Sequence, residues 1–411
     1  MIPFSPPRIE NEIIEEVIDS LKSGWITTGP KTKLFEREIT AYVNTKKTIC
    51  LNSGTAGIEL ALAWYGIGPG DEVIVPAYTY TATANAVVHT GATPVMCDAG
   101  DDFNIDVSKI EKLITSRTKV IIPVDVAGLP CDYDELNALI RKKSVLKKFT
   151  PGNDLQSQLG RIMILADAAH SIGSEYKGEK SAAFSDGAVF SFHAVKNLTT
   201  AEGGALTFNL PKQFDHDELY AQLSTKSLHG QTKDALAKVK KGGWRYDVIE
   251  PGYKYNMTDI LASIGLVELR RYEKDTLIQR RRIFSKYNEM LKKYDWALTP
   301  NLETNNKKGN AHLYLLRING IEESQRNDII TEIYNQDVVV NVHYQPLPIL
   351  SYYKRSGYNI DNYPNAFRLY KNEISLPIYY DLTDENVETI VQALVNAYEK
   401  VVKKNHVEEA V

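Results

Sequence analysis

Four short segments carry side chains that could do chemistry, and each follows a predicted strand. Asn52-Ser53-Gly54-Thr55-Ala56-Gly57 is a turn of small residues ahead of a helical stretch. Free backbone N–H groups and a positive dipole end suit a phosphate there. It is neither a Walker loop nor GxGxxG, and alone it reads more often as a plain strand-to-helix connection. Pro76–Asn85, with Tyr78 and Tyr80, falls at the carboxyl edge of a sheet, where open α/β sheets bind ligands. An aromatic ring there could stack on a flat heteroaromatic cofactor; the plainer alternative packs both tyrosines under a loop. Ile164–Ser171 sets Asp167 just past an apolar strand, where a carboxylate needs a partner. A cationic ring nitrogen would supply one, with His170 facing the same pocket; capping of the next helix is the equal alternative. Phe190–Gly204 sets Lys196 in a small and apolar stretch off a strand end. Desolvated lysines form Schiff bases, although a single lysine is far more often a surface residue and His193 a structural histidine.

Order and combination change this balance. A phosphate turn, an aromatic platform, a buried Asp167 and Lys196 placed 29 residues later are the parts needed to hold pyridoxal phosphate. The phosphate needs donors, the ring a stacking partner, its nitrogen a carboxylate and its aldehyde an amine.

The elements that must position these residues follow from periodicity. A helix is predicted over 9–22, with Ile14, Val17 and Leu21 at helical spacing and Gly24 as its left-handed stop. Strands are predicted at Thr48–Leu51, Glu72–Val75, Pro94–Cys97, Val120–Val124, Arg161–Leu165, Ala188–Phe192 and Ala205–Phe208. Continuous apolar runs imply helices on both faces of a parallel sheet. The last strands are too close for crossover helices, so part of the sheet is expected to be antiparallel. Residues 141–160 read as a helix end and a surface loop, and 257–294 as one long helix or a helix pair. A smaller α+β region should follow, with strands near His312–Arg317 and Val338–Val342. Its closing helix over 384–403 should be capped by Thr383, with Val387, Ile390, Val391, Leu394 and Tyr398 on one face.

Length and composition set outer bounds. The 411 residues suggest two domains or one large α/β unit with an appendage. With 43% hydrophobic and 24% charged residues the chain is an ordinary globular protein. A formal net charge of −4 provides no general field for nucleic acid or an anionic membrane. Cys50, Cys97 and Cys131 form neither a disulfide framework nor a CxxC pair, so no metal site is expected. The absence of a long apolar run or signal-like N-terminus suggests a reducing, cytoplasmic setting.

Taken together, these segments resemble the DegT/StrS-type family of nucleotide-sugar aminotransferases. The resemblance starts at Gly24-Trp25-Ile26-Thr27-Thr28-Gly29-Pro30 and takes in the Ser53 turn, Gly68–Ile74, Ala166–His170 and Phe190–Gly204. It ends at Pro251-Gly252-Tyr253-Lys254-Tyr255-Asn256-Met257-Thr258-Asp259-Ile260. Phe190–Gly204 and Pro251–Ile260 look especially like the branch that includes UDP-4-amino-4-deoxy-L-arabinose synthase. The resemblance implies the fold type I of pyridoxal-phosphate transferases. A mostly parallel seven-stranded sheet would lie in a large domain, residues 1–260, followed by a connecting helix and smaller α+β domain, residues 261–411. It implies Lys196 as the Schiff-base lysine and Asp167 as partner of the pyridine nitrogen. Tyr80 would stack on the ring, His170 would lie near its phenolic oxygen, and Gly54, Thr55 and Ser191 would hold the phosphate. Many members have Gly-Tyr-Asn-Tyr-Arg where this chain has Gly-Tyr-Lys-Tyr-Asn, so Lys254 stands where an Asn typically reaches the partner subunit's cofactor. A homodimer with shared sites is implied. Trp25, Thr27, Thr28, His343 and Tyr344 are candidates for the sugar-nucleotide pocket. The implied reaction moves an amino group from L-glutamate to a keto-sugar nucleotide, a UDP- or dTDP-4-keto-6-deoxyhexose, for surface polysaccharide or glycan biosynthesis. The rivals are a sugar dehydratase on the same scaffold, in whose known branch histidine replaces the lysine, and a non-enzymatic cofactor-dependent regulator.

Overall fold

The computed structural model describes residues 1–233 and 244–403. Seven strands form the central sheet: β1 (Lys47–Leu51), β2 (Glu72–Pro76), β3 (Thr93–Cys97), β4 (Thr118–Ile121), β5 (Met163–Asp167), β6 (Gly187–Ser191) and β7 (Gly204–Phe208). Their order is β1-β7-β6-β5-β4-β2-β3. Only β7 runs against the others, pairing antiparallel with both β1 and β6. Just 12 residues separate β6 from β7, too few for a crossover helix, so the chain must turn back. Strands β2, β4 and β7 are buried at every position, because helices and long segments cover both faces.

The strand edges that differ most from the sequence reading are those of β4, which also starts two residues early at Thr118, and of β5. β4 ends at Ile121 rather than Val124, since Pro123 has no N–H to continue the ladder. β5 starts at Met163 rather than Arg161, whose guanidinium is held by Asp186 at 2.6 and 2.7 Å. It therefore runs on to Asp167, which closes the strand instead of following it. Residues 141–160 are not a helix end and loop: they hold the short helices Lys143–Lys148 and Asp154–Leu159. Asn153 caps the second by accepting from the Gln156 N–H at 2.9 Å, and donates to the Tyr65 carbonyl at 3.0 Å.

The first helix spans Asn11–Ser23 and stops at Gly24, whose φ is 77°. Of the residues at helical spacing Ile14 and Leu21 are exposed, while Ile13 and Ser20 are buried. Residues 257–294 form one rod, helix Asp259–Arg271 joined through a π turn to helix Leu277–Leu291.

Beyond the rod a small antiparallel sheet of β8 (Ala297–Leu298), β9 (Tyr314–Ile318) and β10 (Glu373–Leu376) follows in that spatial order. Val338–Val342 makes only isolated bridges, Ile2 to Val338 and Asn341 to Ser375, so it is not the strand its sequence suggests. The Asn341 side chain takes the Val342 N–H at 2.8 Å, which diverts the ladder. The closing helix Asp384–Tyr398 carries the expected Thr383 cap, reciprocated by Asn386. Val387, Ile390, Val391 and Leu394 are buried beneath it. Among the described residues no helix is long and apolar enough to cross a membrane, and all three cysteines are free and buried.

Candidate active site

A cavity of about 370 Å³ opens at the carboxyl ends of the parallel strands. Gly54, Thr55, Tyr80, Asp167, His170, Ser191, Lys196, His343 and Tyr344 all line it. Residues far apart in the chain thus share one wall because β1, β2, β5 and β6 end at the same edge.

One end of the cavity is a helix start. Ser53 caps helix Gly54–Trp64 by accepting the Ala56 N–H at 3.0 Å. The N–H groups of Gly54 and Thr55 then have no acceptor among the described residues, and they sit at the positive dipole end. The turn is clasped where no side chain fits. A Cβ on Gly204 would come 2.4 Å from the Ser53 carbonyl carbon, and one on Gly54 would lie 3.2 Å from the Ser191 Cβ. The start of β7 and the end of β6 therefore fix the amides from behind.

The other end holds buried charge. Asp167 is 6% exposed; its two oxygens accept from the Thr83 hydroxyl at 2.8 Å and the Ala169 N–H at 3.2 Å. Burial pushes its carboxyl pKa up, opposed by those hydrogen bonds and by Lys196. Burial lowers the Lys196 amine to about 8, with Asp167 pulling the other way. The two groups sense each other, yet no ion pair joins them among the described residues. A carboxylate and an amine are thus both taken from water and left apart, with cavity between them. Asp167 is poised for a cation that none of the described residues provides.

His170 is buried and neutral, its pKa driven well below the usual value by burial and by Lys196. Its Nδ1 accepts the Ala127 N–H at 3.3 Å, which leaves Nε2–H to face the Tyr344 hydroxyl at 2.9 Å. His343 is held below its usual value, at about 3, by burial and by Lys196. Tyr78 and Tyr80 part ways: Tyr78 is wholly buried and donates to the His343 carbonyl at 2.6 Å, whereas Tyr80 is 61% exposed at the mouth.

Several lining or supporting groups escaped the sequence reading. His312 packs its ring 4.3 Å from that of His170 and meets the Asn197 side chain at 2.8 Å. Asn197 also donates to the Asn310 carbonyl at 3.0 Å, tying the Lys196 segment to the start of β9. Phe4, from the N-terminal segment, stacks on His343 at 5.5 Å. Thr83 and Asn197 stood inside flagged segments, Thr83 one helical turn after Thr79 and Asn197 next to Lys196, without being singled out; nothing in the sequence marked Phe4.

Trp25, Thr27, Thr28 and Lys254 do not line this cavity. They form an outer rim. Thr28 Oγ1 donates to the Met257 carbonyl at 2.5 Å, and Asn52 Nδ2 reaches the Lys254 carbonyl at 3.2 Å. The Lys254 side chain is exposed, as are Ile26, Val248, Ile249 and Tyr253 on the same two segments. Asp259 fixes the rim: its carboxylate accepts from the N–H groups of Gly29 at 2.7 Å, Lys31 at 3.0 Å and Thr32 at 2.9 Å.

This donor set fits pyridoxal phosphate. Two unpaired amides await an anion, a buried carboxylate awaits a cation, and a buried amine of lowered pKa awaits an aldehyde. Among the described residues no cluster of His, Cys, Asp and Glu could hold a metal ion.

Comparison with known proteins agrees. Residues 7–147 and 153–395 match the DegT/DnrJ/EryC1/StrS aminotransferase family. Spr1654 of Streptococcus pneumoniae, an assigned sugar aminotransferase solved in its PMP form, is 47% identical. That likeness covers 98% of this chain and 100% of the other, with a TM-score of 0.94. The spore coat polysaccharide biosynthesis protein SpsC of Bacillus subtilis is 36% identical over 96% of each chain. Helicobacter pylori PseC, an aminotransferase of pseudoaminic acid biosynthesis, is 27% identical over 97% of this chain and 99% of its own, with a TM-score of 0.83. Fold, cavity and kinship therefore agree: the chain belongs to the DegT/DnrJ/EryC1/StrS family of pyridoxal-phosphate-dependent aminotransferases.

Proposed function

We propose that this protein transfers an amino group from L-glutamate to a keto-sugar nucleotide, a UDP- or dTDP-4-keto-6-deoxyhexose, in polysaccharide or glycan biosynthesis. The observation that carries the reading is the buried, unjoined pair of Asp167 and Lys196 in one cavity. The name of the Streptococcus relative supports a sugar acceptor, and those of the Bacillus and Helicobacter relatives a polysaccharide or glycan context.

Gly54, Thr55 and Ser191 would hold the cofactor phosphate, Asp167 the ring nitrogen, Tyr80 a ring face and Lys196 the aldehyde carbon, with His170 near the phenolic oxygen. When bound, pyridoxal phosphate supplies an electron sink and stores the amino group between two substrates. Lys196 Nζ would take the proton lost from the donor's α-carbon; an amine lowered to about 8 is matched to that task. With the acceptor, the same amine works in reverse, so kinetics are ping-pong. Asp167 stays ionised once it faces a ring cation. His343 and Tyr344 form the wall nearest the acceptor.

The working unit in this reading is a cytoplasmic homodimer, in which Lys254 of one copy reaches the phosphate site of the other. Exposed Ile26, Val248, Ile249 and Tyr253 around Lys254 support a covering partner. Residues 1–260 would hold the cofactor and 261–411 would close over it.

Purified, cofactor-loaded protein should show the visible absorbance band of lysine-linked cofactor, and L-glutamate should discharge it. A Lys196→Ala variant that still undergoes this conversion overturns the reading. Mass analysis with a panel of UDP- and dTDP-linked keto sugars then identifies the acceptor.

A further inference from the structure

Beneath His343 lies a chain of polar groups that amino transfer does not by itself require. Glu373 and Ser375, both on β10, are fully buried. Ser375 Oγ lies 2.5 Å from Glu373 Oε1 and 2.8 Å from His343 Nδ1. The other carboxyl oxygen, Oε2, accepts the backbone N–H of His343 at 3.0 Å, so the side chain cannot swing away. On the far side of the ring, Nε2 has no protein partner among the described residues, and the residue lines the cavity.

A hydroxyl between a carboxyl group and an imidazole has one hydrogen to give. If the carboxyl is neutral, it donates to Ser375, Ser375 donates to Nδ1, and the imidazole hydrogen must sit on Nε2. If the carboxyl is ionised, Ser375 turns its hydrogen to Glu373 and accepts from Nδ1–H, leaving Nε2 bare. We propose that Glu373, acting through Ser375, sets which ring nitrogen of His343 carries the hydrogen, and that at neutral pH it presents Nε2–H to the cavity as a donor. That the donor meets an oxygen of the acceptor sugar rests on the functional reading above.

The surroundings favour the neutral carboxyl. Arg326, the cation packed nearest, spends its guanidinium on the backbone carbonyls of Tyr370 and Glu373, each at 3.0 Å, and on Asn327 and Glu323. Arg317, opposite Glu373 in the ladder, lays its guanidinium 5.9 Å from the Phe103 ring centre. Tyr78 gives its hydrogen to the His343 carbonyl, and Tyr344 faces His170. Lys196, across the cavity, opposes charging of His343 rather than touching Glu373. Burial raises the Glu373 pKa to about 8. Raising the pH through that value releases one proton from Glu373, and the imidazole hydrogen passes from Nε2 to Nδ1 through cavity water. The donor is then lost.

Nitrogen-15 spectra of histidine-labelled, cofactor-loaded enzyme read the ring directly, with His343 assigned by its loss in His343→Gln. The wild type should hold Nε2–H at about pH 6.5 and Nδ1–H at about pH 9.5, on either side of the Glu373 transition. Glu373→Gln, whose amide stays neutral and donates to Ser375, should hold Nε2–H throughout. Ser375→Ala should hold one tautomer at both ends, and it carries the test if Glu373→Gln does not fold. A wild-type ring that keeps one tautomer across the range, or a Glu373→Gln ring that still switches, overturns the proposal. In the keto-sugar panel, KM should rise about tenfold across the transition in wild type and stay level in Glu373→Gln. Failure of L-glutamate to discharge the enzyme sinks the functional reading, while the spectra still decide the relay.

Discussion

The cavity floor and the outer rim are built on opposite principles. On the floor, Asp167 and Lys196 are withdrawn from water by a single chain, held apart, and shifted in pKa by burial. At the rim, Lys254 stands in water, its backbone pinned to Asn52 and its side chain reaching nothing in its own chain's cavity. A buried charge is strong before any ligand arrives, because low polarity amplifies what it meets. An exposed lysine is nearly worthless until something covers it. The floor is thus complete in one chain, whereas the rim gains a role only in the proposed homodimer.

The sharpest way to break this contrast is to remove the floor's charge. Asp167→Asn keeps the shape and the Thr83 contact but should cost roughly 10²- to 10³-fold in turnover, measured as kcat with any accepted amino donor. An unchanged kcat would mean that burial of Asp167 serves stability alone. Next is Gly204→Ala, whose Cβ would collide with the Ser53 turn at 2.4 Å. We expect about 1–3 kcal/mol of destabilisation in thermal unfolding. Cofactor retention should fall beyond what Gly24→Ala causes, since nothing lies within 4 Å of a Cβ at Gly24. At the rim, Lys254→Ala should weaken cofactor retention about tenfold, the size of one charge-assisted contact. Mixing it with Lys196→Ala should raise its cofactor retention, because in the proposed homodimer one mixed site would hold both lysines; failure of mixing to raise retention would place Lys254 in its own chain's site.

The smallest effect is a titration. In cofactor-free protein, labelling of Lys196 by an amine reagent should rise through about pH 8 as the amine loses its proton. Because Asp167 opposes that lowering, Asp167→Asn should move the midpoint lower still. A midpoint at the ordinary lysine value would show that the floor is wet.

The floor was legible in sequence for a physical reason. Its residues sit at strand ends, where an apolar run stopping at Asp167 or preceding Lys196 advertises a polar group in a costly place. Small residues at Ser53-Gly54-Thr55 likewise announce a helix start. The rim was legible only through its likeness to a family, since an exposed Lys254 carries no local mark. The supports were least legible. Glu373, Ser375 and Asn197 act through contacts with residues 30 to 115 positions away, and no periodicity encodes such pairings. Val338–Val342 misled because β-branched residues promise a strand, whereas pairing depends on neighbours. The spacing of Ile14 and Leu21 foretold the first helix but not its buried side, because amphipathicity tells that a face needs cover without telling whose.

The Asp259 carboxylate has a consequence for synthesis. It closes the open end of helix Pro30–Tyr42 from 227 to 230 residues downstream. At about 5–20 residues per second, that end stays uncapped on the ribosome for roughly 10–50 s after it emerges. That helix start must therefore wait for the rod that finishes it, and truncation before residue 259 should leave nascent chains that chaperones hold rather than release.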